Sequence, residues 1–426
     1  MGINNVEKVI FVQVKKIVVV GAGPAGLMAA ISSSQLGQDV TIVEKNSFPG
    51  RKLLLSGKGR CNITNAADID SFISRFSHGG EFLRDAHRKF SNLDLISFFK
   101  TRGLELKTER QLRVFPVSDK SSSVLDCLLK EIQKNNVKLI TKSSVKDILV
   151  ENNQVKGVSL ADKSVIYADR IILATGGASY AFTGSTGEGM NIAAKLGHKI
   201  IPLRPGLVPL KTKQSFPKLL EGLTLKNIRL KFCDGKKQII SEVGELVFTS
   251  FGISGPLVLS LSSKITDWLN EGRPVCVEID LKPALNEARL ELRLLREFKL
   301  HAKKSLKNVL KALLPMRLIE VFIAIAEIPS EKQTSQITHR ERLKIIKLLK
   351  GFRLDIAGAL PIEEAMITKG GVSLKDINPR TMESRLVKGM YFAGEIIDVD
   401  ADTGGFNLQA AFSTGYLAGK SAASKK

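Results

Sequence analysis

One glycine-rich stretch near the start of the chain constrains its fold more than any other. A β-branched run over residues 17–20 is typical of a buried parallel strand. It leads into Gly21, Gly23 and Gly26, which have the spacing G-x-G-x-x-G. A helical run over residues 27–36 follows. A strand, a glycine turn and a helix in this order predict a βα unit whose helix N-terminus binds a pyrophosphate.

Each glycine of this motif has its own physical task. Gly21 permits a tight turn, Gly23 lets the backbone approach the pyrophosphate, and Gly26 lets helix and strand pack closely. A second apolar run over residues 40–43 ends on Glu44, whose carboxylate can accept hydrogen bonds from ribose hydroxyls. A glycine-rich turn in an unrelated α/β unit is the alternative, and the flanking strand, helix and acid argue against it.

A basic, glycine-punctuated loop follows over residues 46–65. Its three glycines indicate a backbone that approaches a ligand closely, and its cations are placed to follow the phosphates. A solvated basic loop is the alternative. The cations are Arg51, Lys52, Lys58 and Arg60.

Cys61, inside this loop, has two interpretations. It is either a small buried side chain or a proton donor beside a flavin. The chain has four cysteines without a C-x-x-C pair, so we expect neither a metal site nor a disulfide framework. A reducing cytoplasm is the simplest compartment.

Two further glycine turns follow apolar strands later in the chain. One is Gly176–Gly177, after residues 171–174, and the other is Gly394–Glu395. The loop 404–409 then leads into a helix of small residues over 410–423. Helix N-termini from opposite ends of the chain fit one long ligand. One takes the pyrophosphate, and the other takes the O2 and N1 edge of an isoalloxazine ring, where negative charge develops on reduction. We therefore expect FAD rather than NAD as the tightly held cofactor.

The chain of 426 residues is too long for one ordinary core. Short alternating strands over residues 137–167 predict a small sheet, and others over 207–279 predict an antiparallel insert that forms a small barrel. Apolar residues at helical spacing predict helices over 284–352. The predicted divisions are an N-terminal extension, 1–15; a discontinuous FAD-binding domain, 16–199 and 356–426; a β-barrel-like insert, 200–285; and a basic helical insert, 286–355.

The net charge is +22, from 64 Lys and Arg against 42 Asp and Glu. Such a surface attracts polyanions. The cations of the helical insert predict an RNA-binding face, and a solvated helix face or a general lysine bias is the alternative. No apolar stretch approaches the roughly 20 residues of a membrane helix, and the first residues do not resemble a signal peptide, so we expect a cytoplasmic protein without a membrane partner.

Several motifs together resemble the BaiN-like NAD(P)/FAD-dependent oxidoreductases, bacterial flavoproteins also labelled the aminoacetone oxidase family. The resemblance extends over residues 16–419. It implies an α/β fold in which a glutathione-reductase-type FAD-binding Rossmann domain carries an inserted β-barrel plus helical domain. The motifs that carry it are GAGPAG with VEK, GRKLLLSGKGRCNITN, ATGG with TGSTGEG, FGISGP, and GGVSL with TMESR and GMYFAGEIIDVDADTGGFNLQAA.

The residues and the resemblance together predict a set of FAD contacts, no metal ligands, and Cys61 as the catalytic acid. The expected contacts are Gly21, Gly23, Pro24, Ala25, Gly26, Glu44, Lys45, Arg51, Lys52, Gly57, Arg60, Asn62, Val145, Gly176, Gly394, Glu395, Asp398, Gly404, Gly405, Phe406, Asn407 and Leu408.

Four positions depart from the family pattern. The family usually has a small residue at Lys58, glycine at Ala401 and tyrosine at Phe406, and these changes leave FAD binding expected. It usually has histidine where Ser250 stands. If that histidine is an acid or a substrate ligand in relatives, this protein uses another group or another substrate.

The resemblance implies reduction of activated C=C bonds, and some members resemble ribosomal RNA dihydrouridine synthases. In that interpretation NAD(P)H reduces FAD, the flavin passes a hydride to an electron-poor C=C bond, and a protein acid supplies the second proton. Only one complete dinucleotide fingerprint is present, so the nicotinamide would visit the flavin transiently. The alternatives are an oxidase that passes electrons from an amine or aminoketone to oxygen, and a flavin-bound RNA-associating module without turnover. The oligomeric state does not follow from the sequence.

Overall fold

The computed structural model describes residues 14–424. Most of the predicted N-terminal extension, residues 1–15, lies outside this range. The chain divides into two compact units, Met1–Arg204 with Thr368–Lys426, and Pro205–Ile367.

The first unit is built on a parallel sheet of β1 (Lys16–Val20), β2 (Asp39–Val43), β7 (Lys138–Ile140), β11 (Arg170–Leu173) and β21 (Met390–Phe392). The strand order is β21-β11-β1-β2-β7, and every pairing is parallel. The β-branched run of β1 is buried because it lies at the centre of this sheet. The prediction that residues 137–140 join the neighbouring small sheet was wrong, since β7 extends the parallel sheet beside β2.

The small sheet is antiparallel and consists of β10 (Val165–Tyr167), β9 (Gln154–Leu160) and β8 (Val145–Glu151). The remaining elements of the first unit surround these two sheets or form short pairings. They are α1 (Pro24–Ser34), α2 (Arg51–Leu55), β3 (Thr64–Asn65), α3 (Ile69–Ile73), β4 (Phe76–His78), α4 (Arg84–Lys89), α5 (Asn92–Lys100), β5 (Leu106–Thr108), β6 (Arg113–Pro116), α6 (Ser121–Lys134), α7 (Glu188–Lys195), β22 (Asp400–Ala401) and α13 (Phe406–Ala423). A two-stranded pairing joins β12 (Ile200–Gly206) and β20 (Ile367–Val372).

Helices α1 and α13 pack against each other through small residues. A side chain at Gly415 would overlap the carbonyl oxygen of Ala25, and one at Gly419 would overlap that of Ala29. The Ser33 hydroxyl donates a hydrogen bond to the Gly419 carbonyl at 3.0 Å. The composition of α13 therefore follows from how closely the two helix backbones approach.

The second unit contains the predicted barrel. Its antiparallel sheet has the order β15-β14-β16-β17-β13-β19-β18, and β14 also pairs with β18, which closes it. Phe232 and Phe248 are completely buried in its core. The strands are β13 (Leu210–Thr212), β14 (Thr224–Cys233), β15 (Gln238–Ile240), β16 (Gly244–Thr249), β17 (Gly252–Ser254), β18 (Val275–Asp280) and β19 (Phe352–Ala359).

The helices of the second unit share one hydrophobic core with the barrel. Leu294 and Ile345 lie in the same buried cluster as the barrel residue Phe232. The sequence predicted the barrel and the helices as separate divisions, whereas they form one compact unit. It also predicted that the FAD-binding domain resumes at residue 356, whereas the second unit extends to Ile367 because β19 belongs to the barrel. The helices are α8 (Pro256–Asn270), α9 (Glu287–Leu300), α10 (Leu306–Leu310), α11 (Met316–Ala326) and α12 (His339–Lys350).

The packing of α1 on α13 predicts that Gly415→Ala destabilises the protein. The added methyl group meets backbone that cannot move independently of the helix, and such overpacking costs about 1–3 kcal/mol. Chemical denaturation would measure the free energy of unfolding. Gly358→Ala is the control, because a side chain there meets no atom within 4 Å. Equal stability of the two variants would contradict the packing account.

Candidate cofactor site

The glycine turn after β1 presents the N-terminus of α1 without a side chain in front of it. Gly23 is the N-cap residue, and Pro24 occupies the first turn, where a missing N–H costs nothing. A side chain at Gly26 would overlap the Gly21 carbonyl, whereas one at Gly23 meets no protein atom within 4 Å. The turn is therefore tightly packed at Gly21 and Gly26, whereas the space in front of Gly23 contains no protein atoms. The first-turn amides of Ala25 and its neighbours have no acceptor within the helix and can bind an anion.

Glu44 is buried at the end of β2 and binds the glycine turn. Its Oε2 accepts a hydrogen bond from the Ala22 amide at 2.8 Å. Its Oε1 accepts from the Asn46 amide at 2.8 Å and from the Asn46 side chain at 2.7 Å. A carboxylate offers about four acceptor positions. One therefore remains for an external hydroxyl.

The predicted cationic residues Lys45 and Arg51 are engaged close to this turn. Lys45 forms an ion pair with Glu188 at 3.0 Å and donates a hydrogen bond to Thr186 at 2.7 Å. Arg51 donates to the Asn46 side chain at 2.9 Å. Lys45 is therefore held near Glu44 by one carboxylate and one hydroxyl, and Arg51 by a neutral amide.

Lys52 and Glu395 form the centre of a polar cluster. Their ion pair is 2.6 Å long. Lys52 also donates to the Ser179 hydroxyl at 2.7 Å, and the Thr368 amide donates to Glu395 at 2.7 Å. The Thr368 hydroxyl accepts from the Ala178 amide at 2.8 Å. The cluster holds together the basic loop, the turn after β11 that contains the predicted Gly176, and the turn after β21.

Gly394 lies against the first turn of α1. A Cβ atom there would be 2.8 Å from that of Ala25. Its amide donates a hydrogen bond to the Thr414 hydroxyl of α13 at 2.9 Å. The two predicted glycine turns, from opposite ends of the chain, therefore meet at one place.

Arg60 contacts two acidic residues and an aromatic ring of its own unit. It binds Glu109 at 2.5 Å and Asp119 at 2.8 Å, and its guanidinium lies 4.1 Å from the centre of the Phe115 ring. The hydrogen bonds that Arg60 donates to Glu109 and Asp119 raise the pKa of its guanidinium. The arginine supports the fold of the basic loop, where Gly57 also packs against the backbone of the predicted Asn62.

Cys61 has no exposed surface and lies in the hydrophobic core of the first unit. Burial raises the pKa of its thiol to about 12. These features favour the interpretation as a small buried side chain. The structure gives no support to its prediction as a proton donor.

The loop before α13 is fixed by its own polar residues. The Asn407 side chain donates to the Ala401 carbonyl at 2.9 Å and accepts from the Ala401 amide at 3.0 Å. Gly404 accepts a hydrogen bond from the Asn65 side chain at 3.1 Å. A side chain at Gly405 would overlap the backbone of Thr64. These contacts orient the first turn of α13, which carries Phe406 and Leu408.

An Asp–His pair lies beside this loop, and the sequence analysis did not find it. Strand β4 pairs with β22, and the His78 Nε2 is 3.0 Å from the Asp398 carboxylate. The His78 side chain is 52% exposed and that of Asp398 9%. Burial raises the pKa of Asp398, and the nearby His78 opposes this shift. Asp398 was predicted as a cofactor contact, but no local pattern marks His78.

The residues present fit a flavin dinucleotide. Several buried side-chain atoms among residues 14–424 have no hydrogen-bond partner, and two of them, Asn62 Oδ1 and Thr175 Oγ1, belong to the loops predicted to contact the cofactor. Buried polar atoms without partners are rare in folded proteins. A ligand could hydrogen-bond to these two atoms and to the remaining acceptor position of Glu44, and it could approach the backbone at Gly23.

Two further positions singled out in the sequence are Val145 and Ser250. Val145 lines a surface cavity of about 220 Å³ together with Glu188 and Lys195. In the second unit, Ser250 is exposed at the tip of the β16–β17 hairpin. Within the described part of the chain, no cluster of three potential metal-ligating side chains occurs, and no helix is long and apolar enough to cross a bilayer.

Comparison with known proteins places this geometry in a family. Residues 15–421 match the family described as "HI0933-like protein Rossmann domain". The chain is 32% identical over 421 residues to the 3-dehydro-bile acid delta(4,6)-reductase of Clostridium scindens, covering 96% of this chain and 99% of that protein. It is 30% identical over 405 residues to the ribosomal RNA dihydrouridine synthase of Escherichia coli, covering 94% of this chain and 96% of that protein.

A solved structure shows the same fold. The 3-ketosteroid-delta4-(5alpha)-dehydrogenase of Rhodococcus jostii aligns with a TM-score of 0.54 at 15% identity, covering 96% of this chain and 97% of that one. At this identity the likeness concerns the fold alone. The family match covers nearly the whole chain, and the two relatives are 32% and 30% identical to it. These matches establish the family as well as the fold. The chain belongs to the HI0933-like Rossmann family and is an FAD-dependent oxidoreductase.

Proposed function

We propose that this protein uses NAD(P)H to reduce an activated C=C bond, and that its substrate is a uracil base in ribosomal RNA. The observation that carries the proposal is the pair of nearly full-length relatives, one named as a reductase and the other as a dihydrouridine synthase. Both names describe the addition of hydrogen to a C=C bond. The charge of +22 favours the polyanionic substrate over a small neutral one. Such a substrate implies that the protein works in the cytoplasm.

The FAD would be held by both glycine turns. The N-terminus of α1 and the open face of Gly23 suit the pyrophosphate, and the remaining acceptor position of Glu44 suits a ribose hydroxyl. The N-terminus of α13 suits the electron-rich edge of the ring system. When bound, FAD would supply the two-electron hydride chemistry that links NAD(P)H to the C=C bond.

The helices of the second unit supply a candidate RNA-binding surface. Arg289, Arg296 and Lys299 share one face of α9 because they are spaced by seven and three residues. The turn after α9 adds Lys303 and Lys304. Among the described residues, no carboxylate lies within ion-pair distance of Lys299, Lys303 or Lys304. Cations without internal partners are the ones that phosphates can neutralise.

The reaction also needs a proton donor, and we assign this role to His78. Its imidazole is half-exposed, and the Asp398 carboxylate lies 3.0 Å from Nε2, which orients the ring. No described residue hydrogen-bonds Nδ1, which leaves that nitrogen for a substrate. Asp400, opposite His78 in the strand pairing, and Lys369 are the other charged groups near Asp398.

Two other functions remain candidates. An amine or aminoketone oxidase would produce peroxide rapidly with such a substrate and turn over NAD(P)H slowly. A flavin-bound RNA-associating module would bind RNA in a salt-sensitive manner while no donor reduced its flavin at a useful rate. Stopped-flow reduction by NADH and NADPH, with peroxide detection, separates these candidates from the reductase.

For the cofactor site, we expect Gly23→Ala to weaken FAD binding about tenfold or more without destabilising the apoprotein. The methyl group would meet no protein atom but would occupy the side that faces the pyrophosphate. Fluorescence titration measures FAD affinity, and thermal unfolding of the apoprotein measures stability. Gly26→Ala is the matched comparison, because its methyl group overlaps the Gly21 carbonyl and should lower stability directly. Unchanged FAD affinity in Gly23→Ala would contradict the assignment.

For the substrate, we expect ribosomal RNA from a deletion strain to lack a dihydrouridine that the wild-type gene restores. Mass spectrometry of RNA nucleosides detects the change. An unaltered dihydrouridine content would overturn the RNA assignment and leave the other reductase substrates and the oxidase.

For the RNA-binding surface, we expect the triple variant K299E/K303E/K304E to bind unmodified ribosomal RNA at least about tenfold more weakly. Its salt slope should fall by about two, since each cation on a single strand contributes roughly 0.7. The control is K130E/K134E/K138E, which changes the same number of exposed lysines in the first unit. Equal losses in both variants would indicate a general charge effect rather than a binding surface.

For the proton donor, we expect His78→Gln to slow reoxidation of the reduced flavin by unmodified RNA by about 10²–10⁴-fold, the usual contribution of general acid catalysis. Reduction by NAD(P)H should be unchanged. Asp398→Asn should also slow reoxidation, by a smaller factor, because it removes the carboxylate that binds Nε2 and orients the imidazole. His339→Gln, an exposed histidine near Glu291, is the control. Reoxidation of His78→Gln at the wild-type rate would exclude the role.

A further inference from the structure

Two cysteines of the second unit face each other across neighbouring strands. Cys233 on β14 pairs directly with Cys276 on β18. Their neighbours Phe232 and Val277 are completely buried inside the barrel, whereas both cysteines are partly exposed. Since side chains alternate along a strand, both thiols lie on the outer face of the barrel.

The pairing brings the thiols within bonding reach. Directly opposed residues of antiparallel strands have Cα atoms about 4.5–5.5 Å apart. A disulfide spans Cα separations of about 4.4–6.8 Å. Both Cβ atoms point to the same side of the sheet, so a bond needs side-chain rotation and little backbone movement.

The charged side chains around the two cysteines form ion pairs with each other. In the adjacent row, Lys231 forms an ion pair with Glu278 at 2.9 Å. On β19, Asp355 lies opposite Cys276 and binds Arg353 at 2.9 Å. Burial raises the pKa of the Cys276 thiol, and the nearby Arg353 opposes this shift. The thiolate is the form of a cysteine that reacts with a peroxide.

We propose that Cys233 and Cys276 form a site at which a hydroperoxide produces a reversible cross-strand disulfide. One thiolate attacks the peroxide oxygen, which breaks the O–O bond and yields a sulfenic acid. The second thiol displaces the sulfenic oxygen as water and forms the S–S bond. With hydrogen peroxide, two thiols lose two electrons and two protons, and the peroxide becomes two molecules of water. A dithiol reductant reverses the step by exchange.

The bond would join the two strands whose pairing closes the barrel. A covalent link there restricts the unfolded chain between the two positions and should raise the melting temperature. The other two cysteines, Cys61 and Cys127, are buried in the core of the first unit and are not expected to react. The proposal does not depend on the substrate or on bound FAD.

The test treats the full-length protein with hydrogen peroxide at pH 8, blocks remaining thiols with iodoacetamide, and identifies peptides by mass spectrometry. We expect a linked pair of peptides containing Cys233 and Cys276, loss of the two corresponding alkylated peptides, and their recovery after dithiothreitol. The oxidised protein should melt at a higher temperature than the reduced one.

The variants make the result specific. Cys276→Ser should abolish the linked peptide and leave Cys233 as a sulfenic acid that dimedone traps. Cys127→Ser should form the link as the wild type does. Full alkylation of both cysteines after peroxide, oxidation of each cysteine separately to sulfinic acid, or a link only between two copies of the chain would each overturn the proposal.

Discussion

The close packing of α1 on α13 is the contact on which the rest of the cofactor site depends. Gly415 and Gly419 allow the backbones to meet, and Ser33 adds a hydrogen bond to the Gly419 carbonyl. Because the helices come from opposite ends of the chain, this contact brings their two glycine-rich N-termini into one unit. A helix N-terminus favours negative charge, and FAD would supply a pyrophosphate for one and a ring edge that becomes negative on reduction for the other.

Side-chain hydrogen bonds then fix the loops between these helices. The Lys52–Glu395 pair joins the basic loop to the turn after β21, and its partner Ser179 adds the turn after β11, while Thr368 adds β20. Both side chains of this pair are only partly buried, and hydrogen bonds with Ser179 and Thr368 fix their positions. The loops are therefore held in place by protein contacts, while the buried Asn62 Oδ1 in the basic loop has no hydrogen-bond partner among the described residues.

The second unit combines a closed barrel with cationic helices on one shared core. Closure of the sheet removes strand edges that could pair with other chains. It also brings Cys233 beside Cys276. The exposed lysines around the end of α9 are not neutralised by ion pairs, because acidic residues of these helices pair with other cations, as Glu320 does with Lys307.

The sequence by itself determined the cofactor class, the parallel βα core and the existence of the barrel, because glycine spacing, strand periodicity and turn chemistry act over a few residues. Even so, it assigned β7 to the wrong sheet, since an apolar run does not specify its partner strand. Tertiary structure alone decided that Arg60 binds acids of its own unit, that Cys61 is buried, and that His78 meets Asp398. These outcomes depend on residues distant in the chain, whose approach is set by packing and by satisfaction of buried polar groups, and no local pattern encodes them.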